Sequence, residues 1–85
     1  MTELNDAFEK ALKDVKTLKE KPDNQTLLQL YSYYKQATDG DVSGDKPGFF
    51  DFVGLSKYEA WEKLQGMDQD EAKQKYIDKV NRLLG

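Results

Sequence analysis

Leu4, Ala7, Phe8, Ala11, Leu12, Val15 and Leu18 return at steps of three and four residues, with acidic and basic side chains between them. A helix gathers such positions along one face, so the chain must open with an amphipathic helix that needs something to pack against. Thr2 is placed to cap its start, and Pro22 with the preceding lysines closes it. A second helix is expected from Asp23 to about Thr38, with Leu27, Leu28, Tyr31 and Tyr34 pointing inward and Gly40 at its end. Ser56 and Glu59 have capping-box spacing for a short third helix that carries Tyr58, Trp61 and Leu64 and stops at Gly66; its start is open by several residues. Asp68 and Glu71 repeat that spacing before a final helix, whose apolar stripe is Ala72, Tyr76, Ile77, Val80, Leu83 and Leu84. No segment alternates as a strand would, and neither a repeat nor a low-complexity tract is present. The fold class is therefore all-α, with four helices.

Between Gly40 and Gly48 the composition turns to Gly, Asp, Ser and Pro, which predicts the longest connection, a loop returning the chain across the bundle. Phe49, Phe50, Phe52 and Val53 follow it closely. So dense an apolar patch is costly in water, and these side chains are expected to fill the core beneath the loop.

The chain has 85 residues, which makes residues 1–85 one domain with a thin core. It lacks cysteine, so packing alone must hold the helices, and it lacks histidine, the commonest general base near neutral pH and the commonest zinc ligand. A formal charge of -3 argues against a nucleic-acid binder, which draws affinity from a basic surface. Anion binding would have to be local. The start of the chain has no apolar run of the signal-peptide kind, and no segment approaches the ~20 apolar residues of a membrane span, so no stable membrane insertion and a cytoplasmic location are expected. A monomer is expected as well.

The segment Tyr31–Asp41 supplies that local character. Tyr31, Tyr34 and Lys35 stand at i, i+3 and i+4, on one helix face, where rings offer a stacking surface for a base and a cation suits a phosphate. Tyrosines at helical spacing are more often packing residues, and the same holds for Tyr76. Each phenol oxygen, however, needs a partner when buried, so several inward tyrosines suggest a cavity with a wet rim. Most lysines are explained as solvated helix faces, because Asp6 with Lys10, Glu9 with Lys13, Glu59 with Lys63 and Glu71 with Lys75 form acidic-then-basic pairs at i, i+4. Lys35 and Lys57 have no acidic residue four positions before them, and each adjoins a ring, Tyr34 and Tyr58. Asp39 remains available to Lys35 in the less favourable order.

Asp39, Asp41, Ser43, Gly44 and Asp45 match positions 1, 3, 5, 6 and 7 of a calcium-binding EF-hand loop. The closing bidentate Glu of position 12 is replaced by Phe50, and Pro47 falls at position 9, so the acidic residues read as turn formers and no metal site is expected. Catalysis is not expected either: there is no Gly-rich phosphate loop and no nucleophile elbow, and the carboxylates are scattered over polar faces. Besides a nucleotide-type ligand, two readings stay open, a module whose aromatic patch docks an apolar partner helix and, less favoured, a calcium-binding helix-loop-helix.

Taken together, YSYYKQATDGD, KPGFFDFVG, KYEAW and YIDKV resemble, in order and spacing, the signature blocks of the acyl-CoA-binding protein family, also called the diazepam-binding inhibitor family. The resemblance runs from Phe8 to Val80. It implies an up-down-down-up four-helix bundle with a long connection between the second and third helices. It also implies a non-enzymatic carrier of medium- to long-chain acyl-CoA esters that needs no cofactor and meets acyl-CoA-using enzymes transiently. By motif position, Tyr31 and Lys35 would contact the adenine and the ribose 3′-phosphate, with Tyr34 beside them. Lys57 and Lys16 would add basic contacts, and Tyr76 would close on the head group. Phe8, Leu12, Val15, Leu18, Ile77 and Val80 would join the first and last helices. Two positions depart from the family: Tyr58 stands where a Trp is usual, and Leu55 where a basic residue is common.

Overall fold

The computed structural model describes residues 3–85. They form α1 (Glu3–Asp14), continued by a 3₁₀ turn over Val15–Thr17, then α2 (Asn24–Thr38), α3 (Phe52–Glu62) and α4 (Gln69–Leu84), with no strand among the described residues. Thr2, the expected first cap, lies outside them.

Each later helix starts where a carboxylate can accept from otherwise unpaired amides. Asp23 accepts from the Thr26 amide at 2.8 Å, and Asp68 from those of Asp70 and Glu71 at 3.0 and 3.4 Å. The third helix starts earlier than the capping-box spacing indicates, because Asp51 accepts from the Gly54 amide at 3.0 Å and so caps a helix beginning at Phe52. A Cβ on Gly54 would run into that carboxylate, so the glycine makes the cap possible. At the end of α2, Gly40 takes a φ of +83° while its amide donates to the Gln36 carbonyl at 3.2 Å.

Contacts fix the helix directions. Asn5 meets Lys73 at 2.7 Å and Phe8 meets Tyr76, so α1 and α4 advance in parallel. Gln69, at the start of α4, donates to the Ala37 and Thr38 carbonyls at the end of α2, so these two are antiparallel. Lys57 lies over Tyr31 and Lys35 over Trp61, so equal steps along α2 and α3 keep pace and the pair is parallel. This is the expected up-down-down-up bundle. In space the order is α1, α4, α2, α3, a slab of 37 × 30 × 15 Å with α3 at one edge, packed chiefly on α2.

The core sits between α1, α4 and α2: Phe8, Ala11, Leu30, Ala37, Ala72, Tyr76, Ile77 and Val80, with Leu12, Val15 and Leu83 packed against it. Two expectations fail here. α2 buries Leu30 and Ala37 on one side and Ser32 and Gln36 on the opposite side, while Leu27, Leu28 and Tyr31 are only half-buried and Tyr34 is 39 % exposed. Phe49, Phe50, Phe52 and Val53 do not enter the core; they are 75, 88, 67 and 67 % exposed, because α1 and α4 already fill the space against α2.

The polar surface also chooses different partners. Lys10 turns forward to Asp14 at 2.6 Å rather than back to Asp6, and Glu59 faces Lys46 of the loop at 3.6 Å. Residues 39–51 connect α2 to α3. They are pinned by Asp41, whose carboxylate accepts from Gln36 Nε2 at 2.9 Å and from the Gly66 amide at 2.8 Å. Those bonds, the Gly66 amide first and then Gln36, hold the Asp41 carboxyl below its usual range. Gln36 also donates to the Met67 carbonyl at 2.8 Å, tying α2, the loop and the approach to α4 together.

Candidate functional site

Two grooves meet along α2. The first, about 480 Å³, lies between α1, α2 and α4 and is lined by Leu12, Val15, Lys16, Leu27, Leu30, Tyr31, Tyr34 and Tyr76. The second, about 370 Å³, lies between α2 and α3, with Leu27, Leu28, Phe52 and Val53 as its apolar walls and Asn24, Ser56 and Lys57 at its margin. Leu27 and Tyr31 line both, so the two form one surface with a ring-rich part and an apolar part.

The aromatic half is held by stacking. Phe8, buried on α1, lies 6.4 Å from Tyr34 with ring planes 23° apart and 5.4 Å from Tyr76 at 74°. Tyr76 is itself buried, and desolvation, followed by the nearby Tyr34, raises its phenol pKa, so its hydroxyl stays a neutral donor at physiological pH. Tyr34 stays partly open between Phe8 and solvent.

The cations divide. Lys16 lines the first groove from α1, and Lys57 lines the second with its ammonium 5.3 Å from the Tyr31 ring centroid. Lys35 lines neither. Its ammonium rests 4.9 Å from the centroid of Trp61 and is paired with Asp39, the residue available in the less favourable order. The hydrogen bond to Asp39 is the main reason the Lys35 pKa is raised, and the same bond leads the lowering at Asp39. Trp61 is fixed in turn, because its indole donates to the Gly40 carbonyl at 2.8 Å. The structure thus gathers Lys16, Tyr31, Tyr34 and Tyr76 around one groove and sets Lys57 next door, with Lys35 one helical turn along from Tyr31.

Sequence reasoning missed the wall of the second groove, since it assigned Leu27, Leu28, Phe52 and Val53 to the core. A signal was present. Helix α2 bears two apolar stripes, Leu30 with Ala37 and Leu27 with Leu28 and Tyr31, more than one buried face requires. Tyr58 reaches back to the loop, its hydroxyl donating to the Gly44 carbonyl at 3.4 Å. Among the described residues no cluster of three or more carboxylates could hold a metal ion; Asp39 and Asp41, from the EF-hand-like run, are engaged with Lys35, Gln36 and Gly66.

Fold and grooves define an all-α bundle with a two-part surface, an apolar groove with Lys57 at its margin and a ring-lined groove with Lys16. The profile of the family described as "Acyl CoA binding protein" matches residues 5–80. The chain is 44 % identical over 78 residues to acyl-CoA-binding protein homolog 1 of Caenorhabditis elegans, covering 92 % of this chain and 91 % of that protein. It superposes on the crystal structure of Oryza sativa acyl-CoA-binding protein 2 with a TM-score of 0.90 and 40 % identity, covering 95 % of this chain and 90 % of that one. Rattus norvegicus enoyl-CoA delta isomerase 2 is 46 % identical over 76 residues, 89 % of this chain, but the match spans only 19 % of the isomerase. The chain belongs to the acyl-CoA-binding protein family.

Proposed function

We propose that this chain binds and carries medium- to long-chain acyl-CoA esters without chemistry of its own, as a single binding domain over residues 1–85. The observation that carries this is the joining of the two grooves at Tyr31 and Leu27: an amphiphile laid across them would find an apolar trough at one end and rings with amines at the other. The acyl chain runs along Leu27, Leu28, Phe52 and Val53. At ~0.8 kcal/mol per methylene, ten buried methylenes give about 8 kcal/mol, the standard free energy of a micromolar complex, so the tail supplies most of the affinity.

The head group supplies discrimination. Tyr31 and Tyr34 take the adenine, Lys35 the ribose 3′-phosphate, Lys57 and Lys16 the remaining phosphates, and the neutral Tyr76 hydroxyl donates from α4. Lys35 is the one member that must move, swinging from Trp61 and Asp39 toward the phosphate. The match within a much longer isomerase supports delivery to enzymes by transient contact, since there a similar sequence is part of an enzyme's own chain. No helix among the described residues is long and apolar enough to cross a membrane, and we propose that the carrier works as a monomer in the cytoplasm.

Titration calorimetry with hexadecanoyl-CoA, hexadecanoate and CoA tests the reading. The ester should bind far more tightly than either fragment. Lys35→Ala should weaken it by about 1.5–3 kcal/mol with the fold intact, the scale of a lost charge-assisted contact. An unchanged affinity would remove Lys35 from the site, and equal binding of hexadecanoate and the ester would remove the head-group half altogether.

A further inference from the structure

The groove between α2 and α3 has a direction and a limited capacity. At one end the Lys57 ammonium lies 5.3 Å from the Tyr31 ring centroid. From there the groove runs toward the starts of both helices, past Leu27 and Leu28 on one wall and Val53 and Phe52 on the other, to Asn24. A methylene takes up about the 30 Å³ of a liquid water molecule, so a groove of about 370 Å³ holds about twelve. A longer acyl chain must emerge at the helix starts. The apolar surface continues there. Phe49, in the turn closed by the Asp51 amide and the Gly48 carbonyl, sets its ring edge to face 6.4 Å from that of Phe52, and Phe50 extends the row at 5.7 Å from Phe49. Neither Phe49 nor Phe50 lines a groove; they are 75 and 88 % exposed, an apolar surface held ready for contact.

We propose that Phe49 and Phe50 form an outer subsite for the distal carbons of acyl chains that overrun the groove, which makes long-chain esters the preferred class of ligand. This rests on the carrier reading and narrows its substrate. Continuity favours the occupant: the rings follow one another outward from Phe52, so a tail leaving the groove passes onto apolar surface without first entering water. Position favours it too. Both rings precede α3, at the opposite end of the groove from Lys57 and Tyr31, so the subsite meets the tail and not the head group. The charges that flank the rings in sequence are engaged elsewhere, Asp51 with the Gly54 amide and Lys46 with Glu59 and Glu62, which leaves the row to an uncharged ligand. Area argues against a second copy of this chain, because a stable protein interface buries about 800 Å² on each side and four adjoining side chains fall well short.

Affinities for dodecanoyl-CoA and eicosanoyl-CoA, measured below micelle formation, test this. The shorter tail ends within the groove, and the longer overruns it by about seven carbons. A fully buried methylene gains about fourfold in affinity, and on an open ring surface that covers one side of the tail about twofold is expected. Phe49→Ser with Phe50→Ser should therefore weaken eicosanoyl-CoA binding at least about tenfold, while dodecanoyl-CoA affinity and melting temperature stay put. In a second arm, the indole introduced by Phe50→Trp should shift its emission to the blue with eicosanoyl-CoA and not with dodecanoyl-CoA. An unaltered eicosanoyl-CoA affinity in the double variant, an equal loss at both lengths, or an indole blind to tail length would each overturn the proposal. So would a wild-type dimer in sedimentation that forms only with eicosanoyl-CoA, since a second copy then covers the tail. The carrier reading is judged separately: failure of the wild type to bind dodecanoyl-CoA would sink it, while the difference between the two lengths reports on the rings alone.

Discussion

The α1/α4 seam and the α2/α3 edge are both built from amphipathic helices, yet only the first is closed. Phe8, Ala11, Ala72, Tyr76, Ile77 and Val80 bury one another across the seam, whereas α3 buries only Trp61 and presents Phe52, Val53 and Lys57 to an open groove. Cohesion is thus concentrated away from the face proposed for the ligand, a separation that would let the edge admit a lipid tail without loosening the core. The sharpest attempt to break the contrast is Ile77→Ala. Truncating a buried aliphatic side chain should cost about 2–5 kcal/mol of stability in urea unfolding. Protein that remains folded should bind acyl-CoA almost as well as wild type. A marginal stability loss would mean that the seam is not where the bundle is held.

Lys57→Ala probes the opposite side with a smaller effect. Its ammonium stands over Tyr31 at the margin of the apolar groove, so its removal should weaken acyl-CoA binding by about 1.5–3 kcal/mol in calorimetry. Only the exposed cation-π contact is lost to the fold, about 0.5–1 kcal/mol, so the melting temperature should fall by a few degrees at most. A large drop in melting temperature with affinity unchanged would invert the assignment of the two regions.

What the sequence disclosed follows the same division. The seam was legible because Phe8, Ala11, Ile77 and Val80 obey one helical period and share one buried face. The edge was not, because a groove wall and a core face are written in the same apolar residues. Leu27, Leu28, Phe52 and Val53 look like core until a neighbouring helix fails to cover them. The start of α3 was hidden for a local reason: Asp51 caps through the Gly54 amide, and the glycine at that position conceals a cap from a search for an acidic partner three residues on. Tyr31, Tyr34 and Lys35 were rightly read as sharing one face, but spacing cannot say where a lysine points, and Lys35 points to Trp61 and Asp39.

Asp39 offers the finest test of where the head-group half begins. Its carboxylate competes with any phosphate for the Lys35 ammonium, so Asp39→Asn should tighten acyl-CoA binding a few-fold at low salt, with the gain shrinking as salt screens it. The pH dependence has a definite sign. The lowered pKa of Asp39 means its share of the pair's stability is present above the unfolded carboxyl pKa and lost as pH falls through the folded one. The raised pKa of Lys35 means its share is fully present below the unfolded lysine pKa and lost as pH rises through the folded one. Across neutral pH both are ionised, so the melting difference between wild type and Asp39→Asn should be small and flat there, shrinking only toward the acid and alkaline limits. Weaker binding by Asp39→Asn would show that the carboxylate positions Lys35 for the ligand rather than withholding it, and the end of α2 would then join the binding half of the molecule.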